Sequence, residues 1–211
     1  MNVGDSVTHA LSEWGRSEWD AAMLHACNAV DGTGKKRYPH WQVGARFKRT
    51  IRDSIDIFGA VALTGLNVPL LRFPVAVKSD LPDKRPDVAD VIYGIHRCTH
   101  GHGDELPEGF ELTPIQDGGD AVNIRLTLDG KLQLPTSVVM GLLAVAIFAQ
   151  ENNNQVIGGG GNYGLTLVWQ RLMVNDWWGR ADDFRELVKL DQAPGGLVVD
   201  FGRFWDDWKP V

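Results

Sequence analysis

The run Asp90-Val-Ile-Tyr-Gly-Ile-His-Arg-Cys-Thr-His-Gly-His-Gly-Asp104 decides how this chain is read. Counted at 100° per residue from Val88, the side chains of Val91, Ile92, Ile95 and Thr99 fall together, which predicts a helix with one apolar side. Arg97 lies about 180° from Val88, with Asp90 and Tyr93 near it, so it faces solvent, a ligand or another subunit. Gly94 leaves that outer face low. Gly101 and Gly103 then permit the chain to leave the helix, so that His102 can fold back toward Arg97.

The flanking sequence predicts a mainly α protein. Trp19, Ala22, Met23, Ala26, Cys27 and Val30 are spaced as a helical stripe, after a capping-box-like start at Ser17 and Asp20, and Pro39 stops that helix. Residues 1–16 are expected as a flexible arm. A second helix is expected from Val43 to Phe58, and the prolines at 69, 74, 82 and 86 predict a structured loop before the motif helix. Val122, Ile124, Leu126 and Leu128 alternate, and Asp129-Gly130 turns them toward Leu132 and Leu134, a hairpin signal. Residues 138–149 are apolar on every side and read as a buried helix, too short to span a bilayer. After residue 153, Leu165–Val174 reads as extended, Ala181–Leu190 as helix, and Val198–Phe201 as a last strand, with Trp205 and Trp208 packing the C-terminal end.

In a chain of 211 residues with net charge −6, the 21 basic residues are unevenly placed. Seven of them (Lys35, Lys36, Arg37, Arg46, Lys48, Arg49, Arg52) lie between Gly32 and Arg52 with no acidic residue among them. Such a run is commonly a solvated helix face, yet it can also guide a phosphate backbone. With the apolar stripe Val43, Phe47, Ile51, Ile55 and Phe58 turned inward, Arg46, Lys48, Arg49 and Arg52 are expected to stand free as an RNA-binding side. The two cysteines, Cys27 and Cys98, make no disulfide framework, and no signal peptide is read at the N-terminus, so a cytoplasmic setting is expected.

Arginine and histidine together make a minimal kit for RNA cleavage without a metal or other cofactor. A guanidinium stays charged and binds phosphate in two-pronged fashion. An imidazole titrates near neutrality and can move the proton of an attacking or leaving oxygen. The plainer reading of Arg97 and His102 is an exposed arginine and a helix-capping histidine. A metal site is the other alternative. His100-Gly-His102-Gly-Asp104 matches the start of the zinc-binding pattern of metallo-β-lactamases, and could serve a metal-dependent hydrolase. No histidine follows position 102, however, and the preceding sequence is helical, so the later ligands of that fold are missing. Gly159, Gly161 and Gly164 satisfy a dinucleotide-binding spacing without the strand, turn and helix that it needs.

A helix ending in Arg, then His a few residues on, resembles the signature of the higher eukaryotes and prokaryotes nucleotide-binding (HEPN) superfamily. The run from Ile92 to Pro107 also looks like bacterial members in which Arg-Cys…His precedes Leu-Pro. The resemblance covers residues 17–152 as a HEPN-like helical bundle with a β-hairpin inserted at 121–134, followed by a small C-terminal α/β appendage at 153–211. It implies a homodimer in which two Arg-His motifs form a composite ribonuclease site, in toxins or antiphage defence effectors with an antitoxin or defence-system partner protein. Arg97 and His102 would take the catalytic places, supported by Asp90, Tyr93, Cys98 and His100. Position 98 is Cys where the family commonly has Asn, Asp or His. Some relatives bind nucleotides, RNA or protein without catalysis, so a non-catalytic binding module is the alternative that the same resemblance implies.

Overall fold

The computed structural model describes residues 2–102, 108–114, 123–158, 163–166, 170–189 and 196–211, and of residues 97–102 the backbone course alone. The chain is mainly α, with small β elements.

Helix α6 (Ser137–Phe148) sits at the centre, because apolar side chains all around a helix can be buried only if other elements surround it. Every one of its residues except Met140 is buried. Helix α4 (Ile55–Ala62) crosses it at Gly141, where an added Cβ would lie 2.6 Å from the Ala62 Cβ and 2.9 Å from Phe58. The Ser137 hydroxyl donates to the Ala62 carbonyl at 2.6 Å, fixing the same crossing. At the other end of α6, Phe148 stacks on Phe184 of α7 (Ala181–Lys189) with ring centroids 4.3 Å apart.

Helix α2 (Trp19–Arg37) packs against α6 and is covered in turn by α1 (Val3–Gly15). The N-terminal residues are therefore a helix, not the flexible arm expected from the sequence. Asn2 and Asp5 cap it reciprocally, and Val3, Val7, Ala10 and Leu11 form a buried stripe against α2. Ser17, read as a helix cap, instead takes φ 63° in the turn between the two helices. Gly34 lets α3 (Val43–Arg52) approach, for a Cβ there would stand 2.8 Å from the Thr50 hydroxyl. The single helix expected from Val43 to Phe58 is broken at Asp53 and Ser54, so α3 and α4 run as separate elements.

Before α6, β1 (Phe110–Thr113) pairs in parallel with β3 (Leu132–Pro135), and β2 (Arg125–Leu126) pairs with β3 antiparallel. The expected hairpin is present around Gly130 at φ 85°, with its first arm reduced to Arg125–Leu126 and residues 121–122 outside the described residues, and it gains a third strand that local sequence did not announce. After α6, β4 (Gly164–Thr166) and β5 (Arg171–Met173) form a second small ribbon. The last strand expected at Val198–Phe201 reduces to one parallel bridge between Leu66 and Leu197. The C-terminal end is held by Trp208, whose indole N–H donates to the Val75 carbonyl at 3.0 Å, and by Arg85, which sits 4.6 Å over the Trp205 ring. No helix among the described residues is long and apolar enough to cross a membrane.

The crossing at Gly141 has a measurable consequence. Alanine is the better helix former by about 1 kcal/mol, but overpacking a core costs about 1–3 kcal/mol. Gly141→Ala is expected to lower the thermal midpoint, and Gly141→Leu to lower it further. An unchanged or higher midpoint by circular dichroism would show that α4 can retreat.

Candidate functional site

Helix α5 (Val88–His102) carries the motif, and its first turn explains how it is held. The Asp87 carbonyl accepts from Val91 N–H, and the Asp87 carboxylate accepts from Asp90 N–H at 2.9 Å, which makes Asp87 the N-cap. Asp90 is fully buried. Its Oδ2 accepts from the Ser79 hydroxyl at 2.7 Å, and its Oδ1 meets Lys48 Nζ and Arg52 Nη2, each at 3.0 Å. Lys48 Nζ reaches Asp80 at 2.8 Å, and Arg52 reaches Asp80 and Asp87 at 2.8 Å each. Three carboxylates and two cations thereby tie α3, the loop at 79–80 and the start of α5 into one unit.

Two expectations are overturned by this network. Asp90 is not on an open outer face beside Arg97, because α3 and the loop cover that side and enclose the carboxylate. Nor do Arg46, Lys48, Arg49 and Arg52 stand free. Arg46 pairs with Asp31 at 3.1 Å and Arg49 with Asp53 at 2.7 Å, while Lys48 and Arg52 belong to the network. Of the four, only the Arg49 side chain is more than half exposed, at 55%. Most of the neutralising acids are remote in sequence, so the basic run looked unopposed.

Farther along α5, Tyr93 lies against Phe47 with centroids 5.6 Å apart, and a Cβ on Gly44 would stand 2.8 Å from its hydroxyl. Val77 covers Gly94, with a methyl 3.1 Å from where a Cβ would be. His96 is buried and stacks on Phe47 at 5.0 Å. The face expected to be a dimer surface is therefore occupied by the chain itself over positions 90–94.

The helix does not end at Gly101, as the glycines suggested, but runs through His102. Positions 97 and 102 consequently stand about 140° apart around its axis. The side chains of Arg97, Cys98, His100 and His102, and all of Asp104, lie outside the described residues, and with them both the Arg-His pair and the metal alternative. Among the described residues no group of three His, Cys, Asp or Glu side chains is placed to hold a metal ion. Cys27 is buried, and burial pushes its thiol far up, which keeps it protonated.

One feature that motif reading missed is a cleft of about 770 Å³ beside this unit, lined by Lys48, Val77, Lys78, Ser79, Asp80, Lys84, Tyr93, Gly94 and Phe110 among others. The available signal was the charged clusters Lys78-Ser-Asp80 and Asp83-Lys-Arg85 within a proline-rich loop. Sequence could not show that they fold onto α5.

The network sets opposite titration shifts. Burial, reinforced by the charge of Asp87, pushes Asp90 above the usual carboxylate range, against the Ser79 hydroxyl and the two cations. Burial also raises Asp80, but hydrogen bonds from Lys48 and Arg52 outweigh it and hold that carboxyl below the usual range. Stability from Asp80 is therefore complete above its unfolded pKa and is lost as pH falls through the lowered folded value, whereas ionised Asp90 opposes folding. Asp80→Asn is expected to lower the midpoint at neutral pH and to flatten its fall on acidification. A midpoint profile parallel to that of the unaltered chain would contradict this. Asp90→Ala leaves Lys48 and Arg52 short of a buried partner, at a cost of about 3 kcal/mol, or roughly 6–12 °C in thermal midpoint. A loss of under roughly 2 °C would mean that the network does not anchor α5.

Comparison with known proteins adds kinship. The family model described as Rv1289 matches residues 2–205. The proteins Rv1289 and MT1327 of two Mycobacterium tuberculosis strains and Mb1320 of Mycobacterium bovis are each 50% identical over 212 residues, covering 100% of this chain and 99% of theirs. No solved structure matches the chain. With a core, an anchored motif helix and a family model that together span nearly its whole length, the chain belongs to the Rv1289 family.

Proposed function

We propose that this chain is a HEPN-like endoribonuclease that acts as a homodimer. The observation that carries the reading is the single continuous helix α5, fixed at its start by buried ion pairs and bearing positions 97–102 at its far end. In the proposed reaction, a histidine base takes the proton of an RNA 2′-hydroxyl. The oxygen attacks the adjacent phosphorus, the P–O5′ bond breaks, and an acid returns a proton to the 5′ oxygen. Arg97 neutralises the charge that builds on the phosphoryl oxygens. His102 supplies the proton transfer. No metal has a role in these steps.

The unbroken helix shapes this reading. Positions about 140° apart on one rigid helix do not share a face, so the arginine and histidine of one site come from different copies. In this reading the second copy meets the helix at positions 97–102, beyond the segment of α5 that packs within the chain. An RNA-degrading protein of this design would act as a toxin or defence effector, held in check by a partner protein.

Purified protein is expected to cut RNA in EDTA, leaving 2′,3′-cyclic phosphate ends. Arg97→Ala and His102→Ala should each abolish cleavage. Mixing the two inactive variants under conditions that exchange subunits should partly restore it, because mixed dimers rebuild one complete site. Intact RNA with the unaltered protein, together with tight RNA or nucleotide binding, would replace the enzyme by a non-catalytic binding module. Cleavage that needs a divalent ion and is lost in His100→Ala would support the metal-dependent reading instead.

A further inference from the structure

We propose that the cleft between α3, the loop at 76–84 and Tyr93–Gly94 of α5 binds a small amphiphilic anion, a phosphate or carboxylate borne on an aromatic or aliphatic body. The proposal does not rest on RNA cleavage.

Charge points to an anion. Lys48, Lys78 and Lys84 line the cleft with one acidic side chain, Asp80, and with Val211, the last residue of the sequence, also at its wall, on a chain whose net charge is −6. Lys48 is already paired with Asp80 and Asp90, so its charge is taken up within the chain. Lys78 and Lys84 are exposed, and neither has an ion pair among the described residues. They are the cations of the cleft left for a ligand.

The walls point to an apolar body. Val77, Tyr93, Gly94 and Phe110 supply much of the apolar lining. About 770 Å³ lies within the usual range of small-molecule sites, which combine apolar walls with a few placed polar groups.

Backbone geometry supplies an independent sign. Lys84 sits at φ 57°, in the left-handed region, closing a turn in which its N–H donates to the Leu81 carbonyl at 3.0 Å. Glycine takes that conformation without steric cost, whereas lysine does not. A strained lysine facing a cleft suggests that its charge is needed where glycine would fold better.

Titration with phenyl phosphate, alongside inorganic phosphate and phenol as its two halves, tests the assignment by calorimetry on the full chain. Phenyl phosphate is expected to bind at least about tenfold tighter than either half, since both the lysines and the walls contribute. The double variant Lys78→Ala/Lys84→Ala should weaken it by at least about tenfold without lowering the thermal midpoint, because neither side chain has an ion pair to lose among the described residues. Lys84→Gly should weaken binding while leaving the midpoint equal or higher, an outcome that a structural lysine would not give. Arg97→Ala should bind phenyl phosphate as the unaltered chain does. No saturable binding, equal affinity for inorganic phosphate, unchanged affinity in the lysine variants, or loss of binding in Arg97→Ala would each overturn the site. Failure of RNA cleavage leaves all of these readouts in place.

Discussion

A carboxylate with no access to water is the constraint from which the site region follows. Burying an ion costs several kcal/mol unless cations and donors surround it. Around Asp90, Lys48 and Arg52 from α3 and Ser79 from the loop that precedes α5 offset part of that cost. None of these groups could move far without leaving a charge stranded. The result is that α3, a proline-rich loop and the motif helix share one geometry, and the loop becomes a wall where it would otherwise be a tether.

The same constraint determines where positive charge remains available. A basic run with no acids among its neighbours suggests an open electrostatic face. In the folded chain Asp31, Asp53, Asp80, Asp87, Asp90 and Glu151 pair with Arg37, Arg46, Lys48, Arg49 and Arg52 of that run, and those five charges are spent on cohesion. A smaller feature lies farther along the chain, Lys78 and Lys84 at a cleft. Net charge and charge runs describe sequence neighbourhoods, whereas the field at a site depends on which opposite charges arrive from elsewhere.

The core obeys a simpler rule. Helix α6 is apolar on all sides and so must be surrounded, and Gly141 lets α4 approach closely enough to do it. Gly34 and Gly44 do the same work for α3 against α2 and α5. At these positions the lower helix propensity of glycine is offset by close packing. Glycine sets the distance at which two helices can pack.

Local periodicity determined a good deal without help from tertiary structure. The helices containing Ala26, Phe47, Ile92 and Leu142, the turn at Gly130 and the helix from Ala181 are legible in spacing alone, because a buried stripe and a tight turn are properties of adjacent residues. The stripe Val3, Val7, Ala10 and Leu11 was equally present and shows the first residues to be helix, though such short stretches before a glycine are easily taken for an arm. Only the tertiary structure decided that Asp90 is buried, that Val77 caps Gly94, that β1 joins β3 in parallel, and that Lys48 and Arg52 face inward. Each of these depends on segments far apart in sequence meeting, and the energy of a buried charge depends on its partners, which no local pattern contains. That is why the motif was visible in the chain, while the surface able to serve it was not.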